Sequence, residues 1–206
     1  MGREYELKQF MGRKLSYLTD VSDQSEGKAM LSKLRRGIGH TPGDDPEVLG
    51  VVLTGMPYEF MSENAEPTRE EWACYISLTL YAMHQQGNDP KIRAMNSQED
   101  VSIGRAMANY VQLSEDSNAQ KRMEVKLQAL GTSKDMKEFS YHLKSIIQLL
   151  KTKGIALNYS QLAQDIYLFQ AQRSRSGVFL RWGQDFYRTA GNTKENNTEK
   201  ENENNE

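Results

Sequence analysis

Residues 133–154 read SKDMKEFSYHLKSIIQLLKTKG, and the spacing of their apolar side chains decides the fold class. At about 100° per residue, Met136, Phe139, Leu143, Ile146, Ile147 and Leu150 fall on one helical face. Period-two alternation would scatter the same residues to both sides of a sheet. The spacing predicts a helix over 133–153. A second stripe, centred about 140° from the first, carries Lys134, Lys137, Tyr141, Lys144, Gln148 and Lys151. No acidic residue interrupts it, since Asp135 and Glu138 lie elsewhere on the helix. Four lysines and one aromatic along about 25 Å of helix have the spacing to follow a phosphate backbone. A solvated face is the plain alternative.

Outward from this segment the same period recurs. Residues 4–18 place Tyr5, Leu7, Phe10, Met11, Leu15 and Leu18 at helical spacing, and Gly37 after LRR stops a second helix. Asp45 before Pro46 reads as an N-cap opening a short segment to Leu53. Thr68 and Glu71 form a capping box ahead of WACYISLTLYAMHQQG, which is apolar on almost every side and so belongs in the core. Gly87 ends that helix. Further helices are expected over 101–112, 117–130, 159–171 (with Asn158 and Gln161 at its start) and 176–189, with Gly131 and Gly154 closing two of the set. The predicted fold is an all-α, two-part bundle of about eight to nine helices. The polar stretch 88–100, with Pro90, marks the expected boundary between a subdomain at 1–95 and a basic one at 96–193. The tail 194–206, KENNTEKENENNE, is expected to be disordered, because it has too little apolar surface to bury.

The composition is globular, with 37% hydrophobic and 26% charged residues in 206. No apolar stretch is long enough to span a bilayer, and the first residues lack a secretory apolar core. Cys74, the one cysteine, sits in an apolar run and reads as a buried thiol in a reducing cytoplasm. The net charge of −2 hides an asymmetry: residues 1–100 carry 11 Lys/Arg against 16 Asp/Glu, while 101–193 carry 13 against 7. Such a basic half suits an anionic partner. Catalytic signals are missing. His40, His84 and His142 stand in no metal-ligand spacing, Asp44-Asp45 is turn and cap chemistry, and GIGHTPG follows a helix where a dinucleotide loop would follow a strand. The expectation is a binding protein with no catalytic centre, no metal, no cofactor and no membrane contact.

Three further basic clusters stand out. Lys28, Ser32, Arg35 and Arg36 lie opposite Met30, Leu31 and Leu34; the two arginines either complement the helix dipole or offer forks to phosphate. In VSIGRAMANYVQ, Ser102, Arg105, Asn109 and Gln112 form one narrow polar strip, and Gly104 and Ala108 allow close helix approach. Arg105 is either paired internally, with Glu99 or Asp100 at hand, or aimed at a partner. Lys121, Arg122 and Lys126 add positive charge nearby. In the last helix Val178, Phe179, Trp182 and Phe186 share a core face, with Arg181 and Arg188 off it and Asp185 within intrahelical reach of both.

Through LRRGIGHTPG, SIGRAMAN, the HLK of FSYHLKSIIQLLK, and RWGQDFYR, in that order from about residue 30 to 189, the chain resembles the CasB family. CasB proteins are the small subunits of type I-E CRISPR surveillance complexes (Cascade). The resemblance implies a two-part helical fold without catalytic activity, acting in antiviral defence. It implies as partners the large and backbone subunits, a second copy of the chain, and the crRNA and target DNA of the R-loop. Carried onto this sequence, it points to Arg35, Arg36, Arg105, Arg122, Arg181 and Arg188, with Lys144 where the family has an arginine. Lys28, Lys121, Lys126, Lys137 and Lys151 complete the expected nucleic-acid-binding set. Lys144 departs from the pattern: it supplies charge but no bidentate fork. The alternative is a purely structural helical protein whose basic stripes meet acidic protein surfaces.

Overall fold

Cap chemistry starts most of the helices. Asp45 accepts hydrogen bonds from the backbone of Glu47 and Val48 and precedes Pro46, which opens α3 (Pro46–Leu53). Thr68 and Glu71 close their reciprocal box at the start of α4 (Arg69–Gln85). Ser102, Asp135 and Asn158 each accept from a backbone N–H three residues on, opening α5 (Ile103–Gln112), α7 (Met136–Lys153) and α8 (Tyr159–Phe169). Gly154, at φ +62°, ends α7 in the left-handed conformation that side chains with a Cβ resist. With α1 (Arg3–Asp20), α2 (Ser25–Arg36), α6 (Ala119–Gly131) and α9 (Gln172–Glu203), the helices follow one another in the predicted order. The computed structural model describes residues 2–203, and side chains for 2–190. The tail at 194–206, expected to be disordered, lies outside the residues whose side chains are described.

The helix α4 is the axis of the molecule. Between Glu70 and Gln85 every side chain but Trp72 is buried, so a helix apolar on nearly all sides is covered on nearly all sides. The helices α2 and α3 cover it on one flank, α7 and α8 on another, and α8 also packs along α1. The largest helix contact is between α5 and α9. There a Cβ on Gly104 would stand 2.0 Å from the Trp182 carbonyl oxygen, so only glycine permits this approach. One continuous buried cluster runs from Leu7 on α1 to Phe186 on α9.

Two boundaries differ from expectation. Asp135 caps α7 by accepting from the Glu138 backbone at 2.8 Å, so Lys134 precedes the helix and helical rotation does not set its direction. The last helix begins at Gln172, because the Ala171 carbonyl already accepts from the Ser174 and Arg175 backbone. The polar stretch 88–100, where the sequence places the division between 1–95 and 96–193, is tied down at both ends. The Gln85 side chain donates to the Asn88 and Arg93 carbonyls and accepts from the Met95 backbone. Leu157, just before α8, then pairs with Met95 and Ser97. Met95 is buried.

Candidate nucleic-acid interface

The motif LRRG separates into four jobs. Leu34 is fully buried. Gly37 is a packing residue, because a Cβ there would press within 3.0 Å of Val48, Tyr75 and Thr79 side-chain atoms. Arg36 reaches across to α3 and pairs with Asp45 (3.4 Å) and Glu47. Glu47 holds the Arg36 guanidinium above its usual pKa, and Arg36 with Lys33 holds the Glu47 carboxyl below its own. Arg35 points the other way. It lines a cleft of about 390 Å³ between α2 and the C-terminal end of α4, together with Lys28, Leu31 and Gln85 and with the acidic Asp23 and Asp89. Its side chain makes no hydrogen bond or ion pair among the described residues.

Lys151, at the far end of the α7 stripe, reaches back to α4. Its ammonium donates to the Met83 carbonyl at 2.8 Å, near the C-terminus of α4. Burial, and then the positive charge of Arg35, hold Lys151 below the usual lysine range. Below them His84 is fully buried, its Nδ1 2.9 Å from the Tyr159 hydroxyl and its Nε2 without a partner among the described residues. Burial, and then Lys151, push its pKa down to about 4, so it is neutral at physiological pH. Cations from α2 and α7 therefore both stand near the C-terminal end of α4, and neither is paired with a carboxylate among the described residues.

The α7 core face is as predicted: Phe139, Leu143, Ile146, Ile147 and Leu150 are buried, with Met136 packed against them. On the other stripe Lys137 and Gln148 are exposed, Lys144 is half-buried, and the Tyr141 ring stands 68% exposed. Neither Lys137 nor Lys144 has a partner among the described residues. Lys126 of α6 donates to Ser145 Oγ of α7 at 3.0 Å, which places it beside this face.

The other expected residues are more committed. Arg122 pairs with Asp116, while its neighbour Lys121 is exposed. Arg105 is exposed and donates to the Asp100 carbonyl at 2.7 Å, the backbone of one of its two foreseen partners. Arg181 pairs with Asp165 of α8, and Asp185 instead accepts from Ser102 Oγ at 2.5 Å. Asp165 is buried and also accepts from the Trp182 indole at 2.7 Å and from Gln161 at 2.8 Å. Burial pushes its carboxyl up, and Arg181, Trp182 and Gln161 pull it back. Arg188 is exposed, on the rim of a groove along α9.

Two arginines that the sequence did not single out flank the start of α7. Arg69 lies 4.3 Å over the Tyr167 ring, and Arg175 lies 4.4 Å over Phe169 while donating to the Gly131 and Ser133 carbonyls. Both line a cleft with Lys134. Their signal is tertiary, because each is held by carbonyls or rings that only folding brings near. Among the described residues no group of His, Cys, Asp and Glu could hold a metal ion, and no helix is long and apolar enough to cross a membrane. Burial drives the Cys74 thiol far above its usual range.

These features define a helical protein with basic side chains at the end of α4 and along α7. Residues 30–187 match the family model described as CRISPR-associated protein Cse2, and the chain belongs to that family. The fold is similar to the crystal structure of CasB from Thermobifida fusca, at 23% identity and a TM-score of 0.72, covering 88% of this chain and 97% of that one. It is also similar to a CRISPR-associated protein of the Cse2 family from Thermus thermophilus, at 18% identity and a TM-score of 0.63, covering 91% and 99%. CasB from M. ruber matches at 23% identity and a TM-score of 0.60, covering 94% and 97%. No curated protein matches significantly.

Proposed function

We propose that this chain is a non-catalytic small subunit of a type I-E Cascade complex, acting in the cytoplasm in antiviral defence. It holds nucleic-acid backbone at the guide–target duplex and the displaced strand, and so stabilises the R-loop. Its partners are the large and backbone subunits and a second copy of itself. The observation that carries this reading is that Arg35 and Lys151 both stand near the C-terminal end of α4 and neither is paired with a carboxylate among the described residues. Like charges held together cost free energy, and a phosphate seated between or beside them removes that cost. From there Lys144, Tyr141 and Lys137 continue the face along α7. Backbone contact of this kind is independent of sequence, which leaves sequence reading to the guide.

The test is a salt titration of single-strand binding by the full chain. Replacing Lys137, Lys144 and Lys151 with glutamine leaves the buried face of α7 intact. The log–log salt slope is expected to become shallower by up to about two, since each lost single-strand contact is worth about 0.7. An unchanged slope would turn this face towards protein or solvent and overturn the reading.

A further inference from the structure

The face of α9 turned away from the core is open and apolar. Leu180 is 61% exposed and Tyr187 54% exposed. They stand seven residues apart, nearly in line along the helix. Gly183 between them has open space above it, and Phe179 supports the side of a groove of about 660 Å³. The charged residues of that groove are Arg175 and Arg188, and none of its lining residues is acidic. An exposed apolar groove bordered only by cations calls for a ligand with flat apolar faces and negative charge.

We propose that this groove receives an unstacked base of a single nucleic-acid strand. The base lies on the Tyr187 ring and Leu180, with the Gln184 amide at its edge and the adjoining phosphate on Arg188. This inference rests on the nucleic-acid reading above and extends it from backbone contact to base contact. Two observations favour a strand over an acidic peptide. The first is the charge: the exposed Arg188 has a planar fork suited to phosphate, and Arg175, although held by the Gly131 and Ser133 carbonyls, adds positive charge at the other end of the groove. The second is continuity. Arg175 belongs both to this groove and to the cleft that holds Lys134, at the start of the α7 face. Aromatic faces accept any base, so this contact adds affinity without sequence preference.

The test compares an oligothymidylate with a strand of equal length built from abasic spacers, by fluorescence anisotropy on the full chain at low salt. The wild-type chain is expected to prefer the strand with bases by about tenfold. Tyr187→Ala is expected to cut that preference about fivefold, leave abasic binding unchanged and keep the helical circular dichroism; Tyr187→Phe keeps the preference. Leu180→Ser is expected to act in the same direction. Arg188→Gln weakens both strands alike and flattens the salt slope by about 0.7. A preference that survives Tyr187→Ala and Leu180→Ser overturns the proposal while leaving backbone binding in place. A change in sedimenting mass with the preference intact also overturns it, because the groove then seats protein. If the wild-type chain binds neither strand, the nucleic-acid reading falls first and this one with it.

Discussion

The two ends of the helical stack treat their cations differently. At the α8–α9 junction the Arg181 guanidinium meets a buried carboxylate that also takes hydrogen bonds from Trp182 and Gln161. Beside it Gly104 lets α5 press against the backbone of α9. That junction is chemically closed. Near the C-terminal end of α4, Arg35 lines a cleft and Lys151 donates to the Met83 carbonyl, and neither is paired with a carboxylate among the described residues, while burial keeps His84 of α4 neutral. The first arrangement holds the fold together. The second leaves two cations that no carboxylate among the described residues neutralises. An arginine in a motif therefore reports function only once its partner is known.

Five substitutions break or sharpen this contrast. The largest effect is expected from Gly104→Ala. Its methyl would stand 2.0 Å from the Trp182 carbonyl oxygen, and backbone cannot rotate aside as a side chain can. Overpacking of this kind costs about 3 kcal/mol, read as a lower urea midpoint.

Arg181→Ala comes next. It strands the Asp165 carboxylate, although solvent reaches the 44% exposed Arg181 side chain and screens part of the loss. A cost of about 2 kcal/mol is expected, below the range for a wholly buried pair, with the single-strand salt slope unchanged. A flattened slope would move Arg181 to the open class.

The open junction carries an acid-sensitive group. His84 has an unfolded pKa near 6.5 and a folded value of about 4. A depressed histidine leaves stability intact above 6.5, and stability falls as the pH drops from 6.5 towards 4. At pH 5 the loss from this group is about 2 kcal/mol. Urea unfolding of the wild-type chain and His84→Gln at pH 7 and pH 5 measures it: the variant is expected to lose less stability between the two.

The smallest effect on folding, under about 0.5 kcal/mol, is expected from Arg35→Gln, because the side chain has no partner to lose. It is expected to flatten the salt slope by about 0.7 and weaken R-loop retention in the assembled complex. Arg36→Gln is expected to do the reverse: the melting temperature falls slightly and the slope holds, since Arg36 is spent on Asp45 and Glu47. Equal effects at both positions would erase the distinction drawn within LRRG.

Much of the fold was legible in short-range patterns. The capping box at Thr68, the caps at Asp45 and Asn158, and the stop at Gly154 all depend on atoms within a few residues. The buried stripe of α7 follows from helical rotation alone. The start of α7 was less legible: Lys134 continues the periodic stripe, but the Asp135 cap excludes it from the helix. The candidate interface was legible only in part. Lys137, Tyr141 and Lys144 keep the outward place that rotation gives them. Lys151 belongs to the same stripe yet ends on the Met83 carbonyl, a contact that no pattern within α7 contains. Tyr187 and Leu180 carry a seven-residue spacing, but periodicity does not tell an exposed apolar pair from one covered by a neighbouring helix.

The sequence by itself determined that the chain is helical, where most of its helices begin and end, and which faces are apolar. Those properties depend on rotation per residue and on hydrogen bonds within one turn. Only the tertiary structure decided which cations are neutralised. Arg36 and Arg181 find carboxylates on α3 and α8, while Lys151 finds the Met83 carbonyl and Arg35 no partner among the described residues. Pairing depends on distances of a few ångströms between helices far apart in the chain, and those distances are set by packing around α4.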